Sequence, residues 1–325
     1  MLYHGRASFG ILAMALLLTA GAAAAFDLQG HRGARGLAPE NTLAGFRAAL
    51  AVGVATLELD LGVTADDVLV VLHDPHLNPA LTRSPGGAWL SAPTARVRDL
   101  SLADLRRHDV GRIDPQSPYA QRWPQQQATD GEPVPTLAEV VALTRALGAD
   151  QVGFNVETKL TPAAPEATVP PERFAALVVS ELRRLGIVGR SLVQSFDWRT
   201  LIEVRRQAPE IATACLTVRE DWLDNLAPAW TAGLDLAQHG GSVPALVRAA
   251  GCAVWSPFAG DLAAPALHEA RALGLRVIPW TVNEPDLMAR LIDAGVDGLI
   301  TDYPDRLRVV MAAKGLPLPP RHPAP

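Results

Sequence analysis

The stretch TLELDLGVTADDVLVVLHD, Thr56–Asp74, holds two apolar, β-branched runs of strand length, Thr56–Thr64 and Val68–Asp74, separated by the polar break Ala65-Asp66-Asp67. Glu58 and Asp60 lie two apart on the first run, so the pleat puts both carboxylates on one face and Leu57, Leu59 and Leu61 on the other. Two acids leaving one face of a buried strand repel each other unless a cation lies between them. His73-Asp74 ends the second run. A hairpin turning at 64–67 sets His73 opposite Glu58, and two parallel neighbours would also bring these groups to the carboxyl end of a sheet. Taken alone, the acid pair also fits a solvated strand face and His-Asp a loop, so the surrounding chain has to decide.

Upstream, Leu28–Gly33 (LQGHRG) reads as a short strand ending in His31-Arg32-Gly33. After the loop Ala34–Glu40, Asn41 is placed to cap a helix through Ala51, with Leu43, Phe46, Leu50 and Val54 at helical spacing. Strand, loop and helix lead directly into the Glu58 run, which is a βαβ unit. Downstream, Pro75–Pro135 breaks the rhythm. It is rich in Pro, Gly, Ser, Gln and Arg, carries one amphipathic piece at Leu100–Arg107 and the aromatics Trp89, Tyr119 and Trp123, and fits an insertion or lid. Alternation resumes with a helix at Thr136–Leu147 and the strand Val152–Lys159 (VGFNVETK), which puts Asn155, Glu157 and Lys159 on one face. A helix at Glu172–Leu185 and strands at Ser191–Phe196, Ile211–Thr217, Ala253–Phe258, Arg276–Val282 and Gly298–Asp302 continue it.

The strand candidates exceed by one the number a (β/α)8 barrel needs, and the surplus disappears if Thr56–Asp74 is a hairpin. A single α/β chain folded as a (β/α)8 TIM barrel, with an insertion after the second or third strand, is therefore the economical architecture. A doubly wound open sheet is the alternative, disfavoured because no GxGxxG follows the first strand. In a barrel the strand ends carry the site. His31, Arg32, Glu58, Asp60, His73, Glu157, Lys159, Trp280 and Asp302 all fall at or near the carboxyl end of a candidate strand.

With 325 residues and 49% hydrophobic content, the chain can bury a core of that size. Residues 1–25 differ from the rest of the chain: Arg6 is the only formal charge, Ile11–Ala22 is an apolar run too short to span a bilayer comfortably, and Ala23-Ala24-Ala25 offers small residues to a signal peptidase. The expectation is a cleaved export signal, a mature start near Phe26, a periplasmic or secreted protein and no membrane span after cleavage, with an uncleaved anchor as the alternative. The barrel then occupies 26–314, and the Pro-rich 315–325 is expected to be a disordered tail. A net charge of −5 without a basic run argues against nucleic acid as a partner. Export would permit a disulfide between Cys215 and Cys252, but both sit in apolar runs and read first as buried small hydrophobes, with the bonded pair left open.

Glu58, Asp60 and Glu157 offer three hard oxygen ligands with no His or Cys between them, which suits one divalent cation, Ca²⁺ or Mg²⁺, better than zinc. Arg32 and Lys159 add positive charge at the same mouth, so the site fits an anion with several oxygens, most simply a phosphate. His31 and His73 supply a base and an acid. The reaction class that uses all of these is metal-assisted phosphodiester cleavage.

These residues also carry a resemblance. HRG at 31–33, PENT at 39–42, ELD at 58–60, VLHD at 71–74, NVETK at 155–159, QSFDW at 194–198, WTVNE at 280–284 and TDYPD at 301–305 are similar, in register, to the glycerophosphodiester phosphodiesterase family. The resemblance implies a phospholipase-C-like TIM barrel with one divalent cation that hydrolyses glycerophosphocholine, glycerophosphoethanolamine and similar small diesters to glycerol 3-phosphate and an alcohol. By position, Glu58, Asp60 and Glu157 match the family's metal ligands, His31 and His73 its acid–base pair, and Arg32 and Lys159 its phosphate contacts. The mechanism it implies is attack by the neighbouring glycerol hydroxyl, through a cyclic phosphate. Glu40 is placed to hold Arg32. Trp280 resembles an aromatic position at the mouth, with ordinary barrel packing as the alternative, and Asp302 fits either the site or a helix cap. NVETK departs from the family in Thr158, which should face away from the site. Competing readings are a glycosidase, which the cations and the 5% aromatic content disfavour, a lysophospholipid phosphodiesterase, and an exported protein that binds glycerophosphodiesters without turnover.

Overall fold

The computed structural model describes residues 1, 25–93 and 95–323. The expected export signal falls on residues 1–25, almost all of which lie outside the described set. Among the described residues eleven strands form in chain order: β1 (Asp27–Gly30), β2 (Thr56–Val63), β3 (Leu69–Val71), β4 (Gly153–Thr158), β5 (Ser191–Ser195), β6 (Ala212–Thr217), β7 (Arg219–Glu220), β8 (Leu223–Asp224), β9 (Val254–Pro257), β10 (Arg276–Val277) and β11 (Gly298–Thr301). The main sheet runs β10-β9-β6-β5-β4-β2-β1-β11, every neighbour parallel, with β3 antiparallel on β2. Backbone bonds from Asp297 N to Val277 O (2.9 Å), Ile300 N to Pro279 O (3.0 Å) and Val282 N to Ile300 O (2.9 Å) join the two ends of that path. The result is a nearly closed eight-stranded parallel barrel, the expected TIM barrel.

The pleat of β2 sorts its side chains as the sequence predicts. Leu57, Leu59 and Leu61 are fully buried outward, among Phe46, Phe154, Phe174 and Trp198 between sheet and helices, and each such side chain contributes about 1.5–3 kcal/mol. A separate small cluster of Ala214, Val254, Ile278 and Ile300 fills the barrel interior. Beside it lies a polar layer in which Asn155 Nδ2 donates to Gln29 Oε1 and Gln194 Oε1, both at 2.8 Å. Glu58 and Asp60 share the inward face with that layer.

The 56–74 stretch is a hairpin, but shifted by one residue from the expected register. The observed pairs are Leu61↔Val71, Gly62↔Val70 and Val63↔Leu69, which extrapolates to Leu59, not Glu58, opposite His73. The ladder ends first: Leu72 N still donates to Asp60 O at 3.0 Å, and His73 then leaves the strand and lines the cleft. Residues 75–135 follow β3 and fold over a core of their own, Leu77, Val97, Leu105 and Val134 against Val70. The amphipathic piece there is a single turn, Leu102–Leu105.

Three further expectations need correction. The first helix, Leu43–Val52, is capped by Thr42, whose hydroxyl accepts from Gly45 N at 3.0 Å, because Asn41 is turned to φ +56° and committed elsewhere. Cys215 and Cys252 are buried as expected yet form a disulfide; the pairing of Ala214 with Val254 across β6 and β9 brings their Cα atoms to 5.9 Å. Residues 315–323 are docked rather than loose: Leu316 N donates to Met311 O, Arg308 Nη1 to Pro319 O, and His322 N to Leu50 O. Among the described residues no helix is long and apolar enough to cross a membrane.

Candidate active site

The carboxyl ends of β1, β2, β4 and β5 meet at one mouth of the barrel, over a cleft of about 420 Å³ lined by His31, Arg32, Glu58, His73, Glu157 and Lys159. β2 and β4 are in register with Glu58 opposite Asn155 and Asp60 opposite Glu157. Glu58, Asp60 and Glu157 are all buried, and each brings a carboxylate oxygen within 4.8 Å of the others'. Without a counter-charge this arrangement is costly. Burial, then Asp60 and Glu157, raises the Glu58 carboxyl well above the usual range. Burial likewise pushes Glu157 up to about 7, Asp60 adding to the effect and Lys159 opposing it. Burial also penalises the Asp60 carboxylate, but Arg32 first, then His73, Lys159 and His31, outweigh it and hold Asp60 below the usual range.

The three acids fit a divalent cation. Asp60 Oδ1 is buried and makes no hydrogen bond, whereas the other Asp60 oxygen accepts from Asn41 Nδ2 at 2.8 Å and lies 3.2 Å from Arg32 Nε. An orphaned carboxylate oxygen among other hard oxygens is the donor set that Ca²⁺ or Mg²⁺ takes. The remaining bonds fix the acids in place: Gln194 Nε2 donates to Glu58 Oε1 at 2.8 Å and Arg32 N to Glu58 Oε2 at 2.8 Å.

The last contact explains the HRG turn. Arg32 and Gly33 both take left-handed φ, +50° and +88°, which aims the Arg32 amide at Glu58. At Gly33 a Cβ would stand 2.7 Å from the Gly45 carbonyl carbon of the first helix, so glycine is required by both conformation and space. The Arg32 guanidinium then donates from Nη1 to Glu40 Oε1 at 2.6 Å, as the sequence suggested. Lys159 Nζ sits 2.7 Å from Glu157 Oε1 and 3.7 Å from Asp60 Oδ1. Thr158 points away, its hydroxyl bonded to that of Thr200 at 2.8 Å.

Each histidine is held through Nδ1 by a carboxylate. His31 Nδ1 lies 2.7 Å from Asp302 Oδ1, and His73 Nδ1 lies 2.7 Å from Asp74 Oδ1. Such a bond leaves Nε2 of each ring for other partners, and His31 Nε2 is 3.9 Å from Glu58 Oε2. Burial, followed by Arg35, lowers His31 to about 4 despite Asp302. Burial, followed by Arg32 and Lys159, also lowers His73. Burial therefore keeps His31 neutral near pH 7 and favours the neutral form of His73. Asp302 is settled as part of this network: it also accepts from Arg35 Nε at 2.8 Å and from Asn283 Nδ2 at 2.7 Å. Trp280 lines the cleft, with its Nε1 donating to Ser256 O at 2.9 Å.

Sequence reasoning missed Arg35, Asn41, Tyr119 and Gln194. Tyr119, from the insertion, donates its hydroxyl to Glu40 and thereby reaches the partner of Arg32. Trp123, also from the insertion, carries the Arg35 guanidinium 4.4 Å from its ring centroid. Gln194 and Asn41 carried a signal, through the QSFDW and PENT matches; Arg35 and Tyr119 lie in loops without periodicity.

With this geometry in view, residues 31–306 match the family model of the Glycerophosphoryl diester phosphodiesterase family. A glycerophosphodiester phosphodiesterase of Caldanaerobacter subterraneus is 26% identical over 281 residues, covering 85% of this chain and 94% of its own. One from Bacillus subtilis is 28% identical over 280 residues, covering 85% and 83%. The crystal structure of a glycerophosphoryl diester phosphodiesterase assigned in Silicibacter pomeroyi superposes with a TM-score of 0.80 at 38% identity, covering 90% of this chain and 95% of that one. An Oleispira antarctica phosphodiesterase, solved with its product sn-glycerol-3-phosphate, shares the fold at a TM-score of 0.64 and 23% identity, covering 89% and 97%.

Proposed function

This chain belongs to the glycerophosphoryl diester phosphodiesterase family and is an enzyme of that class, and from that premise we propose that it cleaves small glycerophosphodiesters such as glycerophosphocholine and glycerophosphoethanolamine to glycerol 3-phosphate and an alcohol, with one divalent cation. The observation that carries this is the meeting of three carboxylates, two carboxylate-held histidines, Arg32 and Lys159 at one barrel mouth.

Glu58, Asp60 and Glu157 would hold Ca²⁺ or Mg²⁺, which supplies withdrawal of charge from a phosphoryl oxygen. Arg32 and Lys159, fixed by Glu40 and Glu157, orient the phosphate and offset its charge. One neutral histidine takes the proton of the glycerol hydroxyl beside the phosphate, and the other, protonated in the substrate complex, returns a proton to the leaving alcohol. A cyclic phosphate forms and is opened by water with the two roles reversed. Asp302 and Asp74 hold the rings so that Nε2 does this work. We further read the protein as exported; the apolar run in residues 1–25 and a disulfide, which persists in oxidising compartments, support that reading.

The test is phosphorus NMR of purified protein with glycerophosphocholine. A glycerol 3-phosphate resonance is expected; a phosphocholine resonance would place the cleavage on the other side of phosphorus and overturn the assignment.

A further inference from the structure

The insertion reaches the phosphate and acid–base residues through one short segment, 119–127. Its backbone and side chains are tied to the loop that follows β1: Gln127 N donates to Leu37 O and Gln126 Nε2 to Arg35 O, both at 2.8 Å. Trp123 covers the Arg35 guanidinium at 4.4 Å and meets Tyr119 edge-on, the ring centroids 6.1 Å apart and the planes at 63°. Trp123 also packs on Tyr303, the neighbour of Asp302, at 6.3 Å. The segment is thus fixed to the barrel at several points, and Tyr119 is held where it stands.

The Tyr119 hydroxyl donates to Glu40 Oε2, and Arg32 Nη1 donates to Glu40 Oε1 at 2.6 Å. One carboxylate therefore takes a donor on each oxygen. The Glu40 side chain is only 8% exposed, so water has little access to replace either donor. Burial penalises the Glu40 carboxylate, but Arg32, then Arg35 and Tyr119, hold it below the usual range. Burial and the adjacent Glu40 raise the Tyr119 phenol above its ordinary value, so its hydroxyl stays protonated and donates. The terminal torsion of a glutamate is soft; a carboxylate held on one oxygen can turn, and one held on both cannot. Arg35 Nη1 approaches the same hydroxyl at 3.4 Å, and Arg35 in turn grips Asp302 through Nε at 2.8 Å and Nη2 at 3.2 Å. Arg32 lines the cleft, whereas Tyr119 and Glu40 stand behind its lining residues.

We propose that Tyr119 is a positioning residue for the phosphate contact: its hydroxyl fixes the Glu40 carboxylate, which in turn fixes the Arg32 guanidinium at the cleft. The insertion is thereby part of the phosphate site and not merely a cover over it. The inference rests on the phosphodiesterase reading above, which makes Arg32 a phosphate contact. It places a requirement of the reaction on a residue that never meets the substrate.

The test measures kcat and KM for glycerophosphocholine, and the inhibition constant of inorganic phosphate, in the wild type, Tyr119→Phe, Glu40→Gln and the double variant. Tyr119→Phe keeps the ring against Trp123 and removes only the hydroxyl. It should raise KM and the phosphate inhibition constant by a like factor, roughly tenfold, with a smaller change in kcat. Glu40→Gln should lose at least as much, and the double variant no more than Glu40→Gln, because both changes cut one chain of contacts. An unchanged phosphate inhibition constant in folded Tyr119→Phe overturns the positioning. Losses that multiply in the double variant also overturn it, since that is the pattern of a residue that merely supports the fold. A wild type that turns over neither glycerophosphocholine nor glycerophosphoethanolamine overturns the reaction reading instead. Calorimetric titration with inorganic phosphate then decides the positioning by itself: Tyr119→Phe should bind it roughly tenfold more weakly, and equal binding in both proteins, or none in either, overturns the proposal.

Discussion

Replacing Asp302 with Asn tests whether His31 works as one half of a held pair. Asp302 is fully buried and receives His31 Nδ1 and Arg35 Nε on Oδ1, and Arg35 Nη2 and Asn283 Nδ2 on Oδ2. All four partners are donors, so whichever oxygen becomes an NH2 confronts donors. A charge-assisted hydrogen bond of this kind contributes about 1.5–3 kcal/mol, and losing the carboxylate also releases the ring from the tautomer that keeps Nε2 free. On the transition-state scale this is a fall in kcat of about 10²-fold. The assay is glycerol 3-phosphate release, with thermal melting run in parallel because Arg35 loses its charged partner. His31→Ala is measured alone and combined with Asp302→Asn. If Asp302 acts through His31, the double variant should be no slower than His31→Ala. Multiplicative losses, or wild-type kcat in Asp302→Asn, would refute the pairing.

The other perturbations address separate parts of the site. His73→Ala should leave a folded protein with turnover lower by at least about 10²-fold; wild-type rates would remove His73 from the mechanism. Glu157→Gln should weaken metal binding, read by calorimetric titration, together with activity, and an unaltered titration would show that the ligand set is different. The Cys215–Cys252 bridge closes a loop of 37 residues, worth about 3–4 kcal/mol in the chain-entropy account. Reduction should accordingly lower Tm by on the order of 5–10 °C, whereas identical melting with and without reductant would show that the bridge does not stabilise the fold.

How much of the structure is legible in the sequence depends on the physics of each element. Glu58, Asp60, Glu157 and Lys159 were legible because the pleat converts i, i+2 spacing into a shared face, and Leu57, Leu59 and Leu61 confirmed the opposite face. Arg35, Tyr119 and the bond from Asn41 to Asp60 were not, because they depend on turns, among them the left-handed conformations at Arg32 and Asn41, and on an insertion held together by its own core rather than by periodicity. The hairpin was visible but its register was not: nothing in Thr64–Asp67 distinguishes two pairings one residue apart. The disulfide depends on β6 and β9 being neighbours, a property of the closed barrel rather than of the sequence around either cysteine. The tail misled through composition, since a Pro-rich segment can still be tied down by groups outside it, as Arg308 and Leu50 do here.

The most direct measurement is glycerol 3-phosphate release from glycerophosphocholine before and after chelation, with Ca²⁺ or Mg²⁺ then returned. Activity that disappears with the chelator and recovers with one of these ions is the predicted result. Undiminished turnover in a fully chelated, folded protein would contradict a catalytic cation held by Glu58, Asp60 and Glu157.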